Sequence, residues 1–456
     1  MAEPARIRPA AGVRFDLGVE TLIVGAGAAG LVAALAAHEA GQEALVIEAD
    51  AAPAGSTALS AGLIPAAGTA LQRAAGIADD AALFAADIQA KAKGENDPAL
   101  VDLLARGSAR AIDWLAGRHG LPFSVVDDFD YPGHSRRRMH GLPSRSGREL
   151  VDRLRAACEE AGIDIVCNRR AETLFTEDDL IRGVALRAPD GAVETIGCAR
   201  LILACNGFGG SPALVARHMP QIAGALWFGH DGNRGDALHW GEALGAGLAH
   251  LGAYQGHGNV AHPHGILITW AVITEGGVQV NLSGQRFWDE SQGYSEAARA
   301  VLSQPEGQAW TIFDARIAAI ARQFADFRAA EAQGAIRTAG TLAELAEVTG
   351  LPAEALRASL AARGAPDRFG RIFSKPPLAP PFCAVRVTGA LFHTQGGLQV
   401  DDQARVLHAD GRPFANLHAA GGAACGVSGS ADAGYLSGNG LLAAVVLGRI
   451  AGAAGR

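Results

Sequence analysis

The stretch LIVGAGAAGLVAALAAHEAGQEALVIE, residues 22–48, decides the architecture. Leu22 to Val24 reads as a short apolar strand, Ala28 to Ala40 as an alanine-rich helix stopped by Gly41, and Ala44 to Ile47 as a second strand. Gly25, Gly27 and Gly30 form GxGxxG at the strand-to-helix turn. In that pattern the first glycine makes the turn, the second lets a pyrophosphate approach the backbone, and the third lets helix and strand pack closely. The N–H groups and dipole at the helix opening, from Ala28 and Ala29 on, favour a diphosphate. Glu48, followed by Ala49, stands at the end of the second strand, where a carboxylate accepts ribose hydroxyls. Strand, glycine turn, helix, strand and acid in this order predict a parallel βαβ unit that binds a dinucleotide. The fingerprint alone does not separate NAD from FAD.

The rest of the composition agrees with a large nucleotide cofactor. The 456 residues suggest two or three domains. A hydrophobic content of 49% against 19% charged supports a sizeable core. Glycine accounts for 59 residues, about 13% against a usual ~7%, which implies many tight turns and close backbone approaches. The formal net charge of −8 disfavours a nucleic acid partner. The six cysteines, Cys158, Cys167, Cys198, Cys205, Cys383 and Cys425, form no CxxC and no CxxCH. So few in so long a chain point to a reducing compartment, and a cytoplasmic protein is expected. The longest apolar run, Leu22 to Ala37, is shorter than the ~20 residues of a bilayer span, and no membrane partner is expected.

Residues 1–15 read as a loose arm rich in Ala, Pro and Arg. Helical spacing runs through 71–120, a basic loop follows at 131–149, and a helix spans about 149–161. Short strands are expected at 163–167, 181–187, 193–197 and 200–204, the last leading into the glycine turn NGFGG. The middle of the chain holds a hairpin-like GGVQVNLSGQRF at 276–287 and polar, alanine-rich helices from 296 to 363. Prolines at 376–381 read as a linker. The expected architecture is an α/β domain built from both chain ends, 1–224 and 380–456, with a capping domain inserted at 225–379.

Several stretches in order resemble the succinate dehydrogenase/fumarate reductase flavoprotein superfamily. GSTALSAGL at 55–63 is similar to its second flavin-contacting loop, and LACNGFGG at 203–210 to its LATGGFGG turn. HPHGILITWAVITEGGVQVNLSGQRFWDE at 262–290 resembles its cap segment, while 391–422 and 434–452 resemble its closing segment. The resemblance runs from about residue 20 to the C-terminus and implies a Rossmann-like, glutathione-reductase-type FAD-binding domain with an α+β cap. It implies flavin-side contacts from Gly55, Ser56, Thr57, Ser60 and Gly62 in the second loop. Ala171, Ala204, Asn206, Gly207 and Asp236 are implied from the middle of the domain. Gly421, Gly438, Asn439, Leu441 and Leu442 are implied from the closing segment. Respiratory members carry a histidine that tethers the flavin; that place is Ser56 here, so non-covalent FAD is expected. Their long helical C-terminal domain has no counterpart before Arg456, and docking to an iron–sulfur subunit is not expected. A helix N-terminus after a glycine loop also suits the negative charge that a reduced isoalloxazine gains.

On the substrate side the resemblance departs from fumarate reductases. His262 and His393 match positions that hold substrate carboxylate there. The catalytic arginine falls at Tyr294, the carboxylate-clamping arginine at Tyr435, and the proton relay at Trp270 and Ile273. A dicarboxylate loses its bidentate partners. Tyrosines at those two places look like the 3-ketosteroid dehydrogenase branch, in which one tyrosine removes the proton α to a ketone and another hydrogen-bonds the ketone oxygen. The Tyr435-x-Ser437 spacing resembles the branch acting at the Δ4 position. An enolate-like transition state needs a base and an oxyanion donor, and a phenol serves as either. As a base near neutrality, Tyr294 needs a cationic or hydrogen-bonding neighbour.

His134 and His140 sit in a basic loop, GHSRRRMH, whose arginines either greet an anionic substrate or form a solvated face. Trp270, Trp288 and Phe287 either wall a hydrophobic pocket or pack the cap. His257, His262 and His264 lack metal-ligand spacing, and no metal is expected. The reading is an FAD enzyme acting on a CH–CH bond next to a carbonyl of a small-molecule substrate. Tyr294, Tyr435, Ser437, His393 and His262 are its catalytic and positioning residues, and the electron donor or acceptor is unidentified. The alternatives are a fumarate-reductase-like ene-reductase for a carboxylate and a flavin-binding redox sensor without turnover.

Overall fold

The structure, a computed structural model, describes residues 6–127, 131–363 and 366–455. The chain divides into two compact units. One takes the chain up to His218, Gly229–Tyr254 and the chain from His393 onward; the other is Met219–Phe228 with Gln255–Phe392.

The first unit is built on a nine-stranded sheet whose main path runs Arg6–Pro9, Arg170–Glu177, Leu180–Arg187, Val193–Leu203, Leu17–Val24, Ala44–Ile47 and Asp164–Val166. Pro413–Ala419 adds to Val193–Leu203 and carries Arg405–Leu407 on its other side. At the centre Leu22, Ile23 and Val24 pair in parallel with Leu45, Val46 and Ile47 on one side and with Leu201, Ile202 and Leu203 on the other. All nine are buried, as expected of parallel strands covered on both faces. Helix Ala28–Glu39 buries every residue from Ala28 to Ala37. Its alanines allow the closing helix Asn439–Ala453 to approach until a Cβ on Gly448 or Gly452 would lie 2.5 Å from the Ala29 carbonyl oxygen or 2.1 Å from that of Ala33.

The second unit holds a seven-stranded sheet with the path Ile266–Leu267, Tyr254–Ala261, Phe382–Thr394, Gln308–Asp314 and Val278–Val280. Two apolar clusters pack this unit, one around Phe313, Phe327 and Val385, the other around Val278, Trp310 and Leu356.

Several local expectations are corrected. Within the expected arm, Arg6–Pro9 is an edge strand paired in parallel with Thr173–Thr176; the first five residues lie outside the described ones. The helical stretch 71–120 is three helices, Ala70–Ala74, Ala81–Lys91 and Pro98–Arg118. The two strands expected at 193–204 are one, Val193–Leu203, running through Gly197, over which the Phe15 ring packs at 3.0 Å from a would-be Cβ. The helical run expected from 296 to 363 is interrupted by strands Gln308–Asp314 and Ile336–Ala339. Among the described residues no helix is long and apolar enough to cross a membrane.

Candidate active site

The glycine turn after Leu17–Val24 shows why each glycine stands where it does. Gly25 has φ +107°, and a Cβ there would lie 2.5 Å from the Ala204 carbonyl oxygen. A Cβ on Gly30 would fall 1.8 Å from the Gly25 carbonyl oxygen. Gly27 is different: within 4 Å a Cβ would meet only Thr57 Oγ1, at 3.5 Å, so the space before it is open to an approaching ligand. Thr57 Oγ1 accepts from the Ala28 N–H at 3.1 Å and so ties the second loop to the first. Glu48 is 8% exposed; its carboxylate accepts from the N–H of Ala26 at 2.8 Å and of Asp50 at 3.0 Å. Each carboxylate oxygen retains a lone pair for a ribose hydroxyl. Ala49 follows, exposed, in the bend after the strand.

Ser56 Oγ accepts from Asn206 Nδ2 at 3.0 Å and from Asn233 Nδ2 at 2.8 Å. Asn206 holds a left-handed φ of +65° and accepts from the Gly207 N–H at 2.8 Å. Asn233 was not foreseen; it lies 177 residues from Ser56, and no motif marks it. Ser60 and Gly62 brace the loop: Ser60 Oγ donates to the Thr57 carbonyl at 2.7 Å and accepts from the Gly62 N–H at 3.0 Å. Gly55 opens this segment with φ +57°. Ala171 sits in strand Arg170–Glu177, and Ala204 donates to the Val24 carbonyl at 2.8 Å. Asp236 opens helix Asp236–Leu244 and is held by Arg170 at 2.7 Å. Burial raises the Asp236 carboxyl pKa, against the pull of Arg170.

The closing helix brings the remaining first-unit residues together. Gly438, at φ +87°, caps it without room for a side chain, since a Cβ would meet Pro65 at 2.5 Å. His393 Nδ1 accepts from Gln395 Nε2 at 2.8 Å, Gln395 Oε1 accepts from Ser428 Oγ at 3.0 Å, and Asn439 Nδ2 reaches Ser428 Oγ at 3.5 Å. A Cβ on Gly440 would lie 3.7 Å from Gln395 Nε2 and 3.9 Å from His393 Nδ1. The Tyr435 hydroxyl lies at the N–H groups of Gly438 and Gly440. His393, Gln395 and Tyr435 therefore converge on the start of this helix. A Cβ on Gly422 would meet Asn206 Oδ1 at 2.1 Å and His393 Nε2 at 2.9 Å, so Asn206 joins the same cluster. Gly421 packs beside it against Ala29 and Ala444; Leu442 is buried and Leu441 half-buried. Ser437 is 5% exposed, and its carbonyl meets His134 Nε2 at 3.0 Å.

The electrostatics of this cluster are neutral. Burial pushes the Tyr435 phenol up to about 12, with the Gly438 and Gly440 amides opposing. Burial pushes His393 down to about 4. At pH 7 both are uncharged: a phenol that donates, and an imidazole whose accepting Nδ1 leaves the proton on Nε2.

In the second unit Tyr294 opens helix Tyr294–Leu302, half-buried. Its ring stacks on His257, centroids 5.0 Å apart at 16°, and meets Trp270 edge-on. Trp270 in turn tilts against Trp288, so both tryptophans pack behind Tyr294. His262 keeps other company: its Nε2 is 3.2 Å from Gln308 Nε2, and burial, with Arg386 nearby, lowers its pKa. Arg138 in the basic loop is fully buried and ion-paired to Asp79 and Asp87, so it does not greet a substrate. Among the described residues no cluster of His, Cys, Asp and Glu fits a metal ion.

The residues of the first unit fit FAD. The open space before Gly27, the Glu48 carboxylate and the start of helix Asn439–Ala453 offer the groups a dinucleotide needs. Asn439 Oδ1 is buried and has no protein partner among the described residues, an acceptor that would suit a ring N–H of a bound cofactor. Comparison with known proteins agrees. Residues 20–441 match the family described as FAD binding domain. The probable fumarate reductase Ifc3 of Shewanella frigidimarina is 32% identical over 447 residues, 95% of this chain and 74% of that protein. The open conformation of a flavocytochrome c3 fumarate reductase superposes with a TM-score of 0.81 at 30% identity, covering 97% of this chain and 78% of that one. The 3-ketosteroid-Δ4-(5α)-dehydrogenase of Rhodococcus jostii RHA1, solved with 4-androstene-3,17-dione, gives 0.79 at 25% identity, covering 98% and 99%.

Proposed function

This chain belongs to the FAD binding domain family of flavoproteins, and from that membership we propose an FAD-dependent oxidoreductase acting on a CH–CH bond next to a carbonyl, with an α,β-unsaturated ketone or acid on one side of the reaction. FAD, when bound, exchanges a hydride with the carbon β to that carbonyl. Tyr294 exchanges the α proton through its phenol oxygen, and Tyr435, with Ser437 or a backbone amide, holds the carbonyl oxygen. His393 and His262 position the far end of the substrate. Ser56, bonded to two asparagine amides where the tethering histidine would stand, supports a non-covalent cofactor. The six free cysteines support a cytoplasmic location.

The observation that carries this reading is the meeting of Tyr435 and His393, both uncharged at neutral pH, at the start of the closing helix. Such a pair favours a neutral or singly charged carbonyl compound over a dicarboxylate, whose second charge it leaves unpaired. Anaerobic stopped-flow tests it with benzylideneacetone and its saturated partner 4-phenyl-2-butanone. The reading expects the enone to reoxidise the reduced flavoprotein, or the saturated ketone to bleach the oxidised one. A flavin spectrum indifferent to both, and to cinnamate, overturns it in favour of a redox sensor.

A further inference from the structure

Gln395 stands two residues after His393, just past the end of strand Phe382–Thr394, and its backbone is held on both sides. Its N–H donates to the Ala253 carbonyl at 2.8 Å, and its carbonyl accepts from the Gly426 N–H at 2.8 Å. Gln395 is 4% exposed, and Ser428 and Asn439 are each 1% exposed. Polar side chains buried this deeply are held in place by their hydrogen bonds.

Those hydrogen bonds form one chain with one direction. Asn439 Nδ2 donates to Ser428 Oγ at 3.5 Å, Ser428 Oγ donates to Gln395 Oε1 at 3.0 Å, and Gln395 Nε2 donates to His393 Nδ1 at 2.8 Å. Ser428 and Gln395 each receive a donor from behind and offer one ahead, an order in which successive hydrogen bonds polarise one another. An imidazole that accepts at Nδ1 carries its proton on Nε2. The amide is suited to this place because one end only accepts and the other only donates. A thioether there would donate nothing, and a carboxylate would draw a proton onto Nδ1.

The two ring nitrogens of His393 face different surroundings. Nδ1 lies with Gln395 Nε2 over the first turn of the closing helix, where a Cβ on Gly440 would meet them at 3.9 and 3.7 Å. Nε2 lies over Gly422, where a Cβ would be 2.9 Å from it and 2.1 Å from Asn206 Oδ1. Asn206 is bonded in turn to Ser56 of the second loop. The chain therefore starts at the helix residue Asn439 and ends by aiming a donor at the side where Asn206 and Ser56 lie.

We propose that Gln395 is a positioning residue that fixes the tautomer of His393, so that this imidazole meets the substrate as an Nε2–H donor to a carbonyl oxygen. The role rests on the reading of His393 as a residue that positions the substrate, and it adds what sets the proton there. Burial holds the imidazole neutral, with a pKa of about 4, so its tautomer decides whether it donates or accepts. A carbonyl oxygen only accepts, and an imidazole free to exchange tautomers is competent for it only part of the time, which weakens binding by that fraction.

The test reads the imidazole nitrogens of the holoenzyme labelled with ¹⁵N-histidine, at pH 7. The His393 signals are the pair that His393→Gln removes. In the wild type Nδ1 should be unprotonated and Nε2 protonated. Gln395→Met should move both nitrogens towards a mixture, and Gln395→Glu should place a proton on Nδ1. With whichever of benzylideneacetone or 4-phenyl-2-butanone the wild type accepts, Gln395→Met should raise KM by about threefold or more while kcat stays within about threefold. A wild-type imidazole protonated on Nδ1, a Gln395→Met spectrum identical to that of the wild type, or an unchanged KM overturns the role and leaves the proposed reaction standing. If the wild type turns over neither ketone, the proposed reaction falls, and the nitrogen spectra alone decide on Gln395. If Gln395→Met does not fold, Ser428→Ala, which frees the amide to turn over, takes its place with the same outcomes.

Discussion

The imidazole Nε2 of His134 lies 3.0 Å from the carbonyl oxygen of Ser437, joining the basic loop to the turn that opens the closing helix. On its other edge His134 Nδ1 faces Arg138 at 3.4 Å, which makes it the acceptor there and Nε2–H the donor to Ser437. From its sequence this loop either greets a substrate or forms a solvated face; His134 instead ties it to the turn before helix Asn439–Ala453. His134→Leu leaves the Ser437 carbonyl without this partner, at a cost of about 1–3 kcal/mol. FAD should bind more weakly, with partial recovery in His134→Gln. Unfolding in urea and FAD titration check this; wild-type FAD affinity in His134→Leu counts against it.

Arg138 anchors that arrangement. Its guanidinium makes two hydrogen bonds to Asp79, at 2.9 and 3.0 Å, and pairs with Asp87, while its side chain and that of Asp79 are fully buried. Removing one member of a buried pair leaves an uncompensated charge, so Arg138→Met should destabilise the fold by about 3–5 kcal/mol. Arg138→Met with Asp79→Leu should recover part of the loss. Urea midpoints of the single and double variants measure both.

Gly27 and Gly30 predict opposite failures. At Gly30 a Cβ collides with backbone at 1.8 Å, so Gly30→Ala should impair folding itself. At Gly27 the added methyl enters the open space, so Gly27→Ala should fold with near-wild-type stability and lose FAD. Circular dichroism melts of the apoproteins and flavin content after reconstitution separate the two outcomes.

Acid should weaken the fold before carboxylates titrate. Burial pushes His134, His140 and His393 down to about 4, from an ordinary value near 6.5. As pH falls from 6.5 towards 4, the unfolded chain takes up these protons and the folded one does not. Stability is therefore fully present above 6.5 and declines through that window. His140 is the cleanest reporter, bonded to Thr69 Oγ1 at 2.8 Å and to the Arg138 carbonyl at 2.9 Å. Melting temperatures at pH 7.5, 6 and 5 should fall stepwise, and constancy across them contradicts the account.

Much of the cofactor side was legible because it is local. The βαβ unit lies within 27 consecutive residues, and the closing helix follows its own glycine turn, so period and turn chemistry sufficed. Strand Arg6–Pro9 was missed because RIRP offers one apolar residue and draws its order from Thr173–Thr176 far along the chain. Strand Gln308–Asp314 was hidden among alanine-rich helices, and only its pairing with Phe382–Thr394 reveals it. Asn233 and Gln395 escaped notice for the same reason: their partners are brought close only by the fold.

The central claim is that phenols, not guanidinium groups, handle the substrate's proton and oxygen. Single-turnover flavin kinetics on Tyr294→Phe test it most directly, using whichever of benzylideneacetone or 4-phenyl-2-butanone the wild type accepts. The account predicts an unchanged flavin spectrum and a rate lowered by roughly 10²–10⁴-fold, the usual contribution of a positioned acid–base group. A wild-type rate in Tyr294→Phe would contradict it.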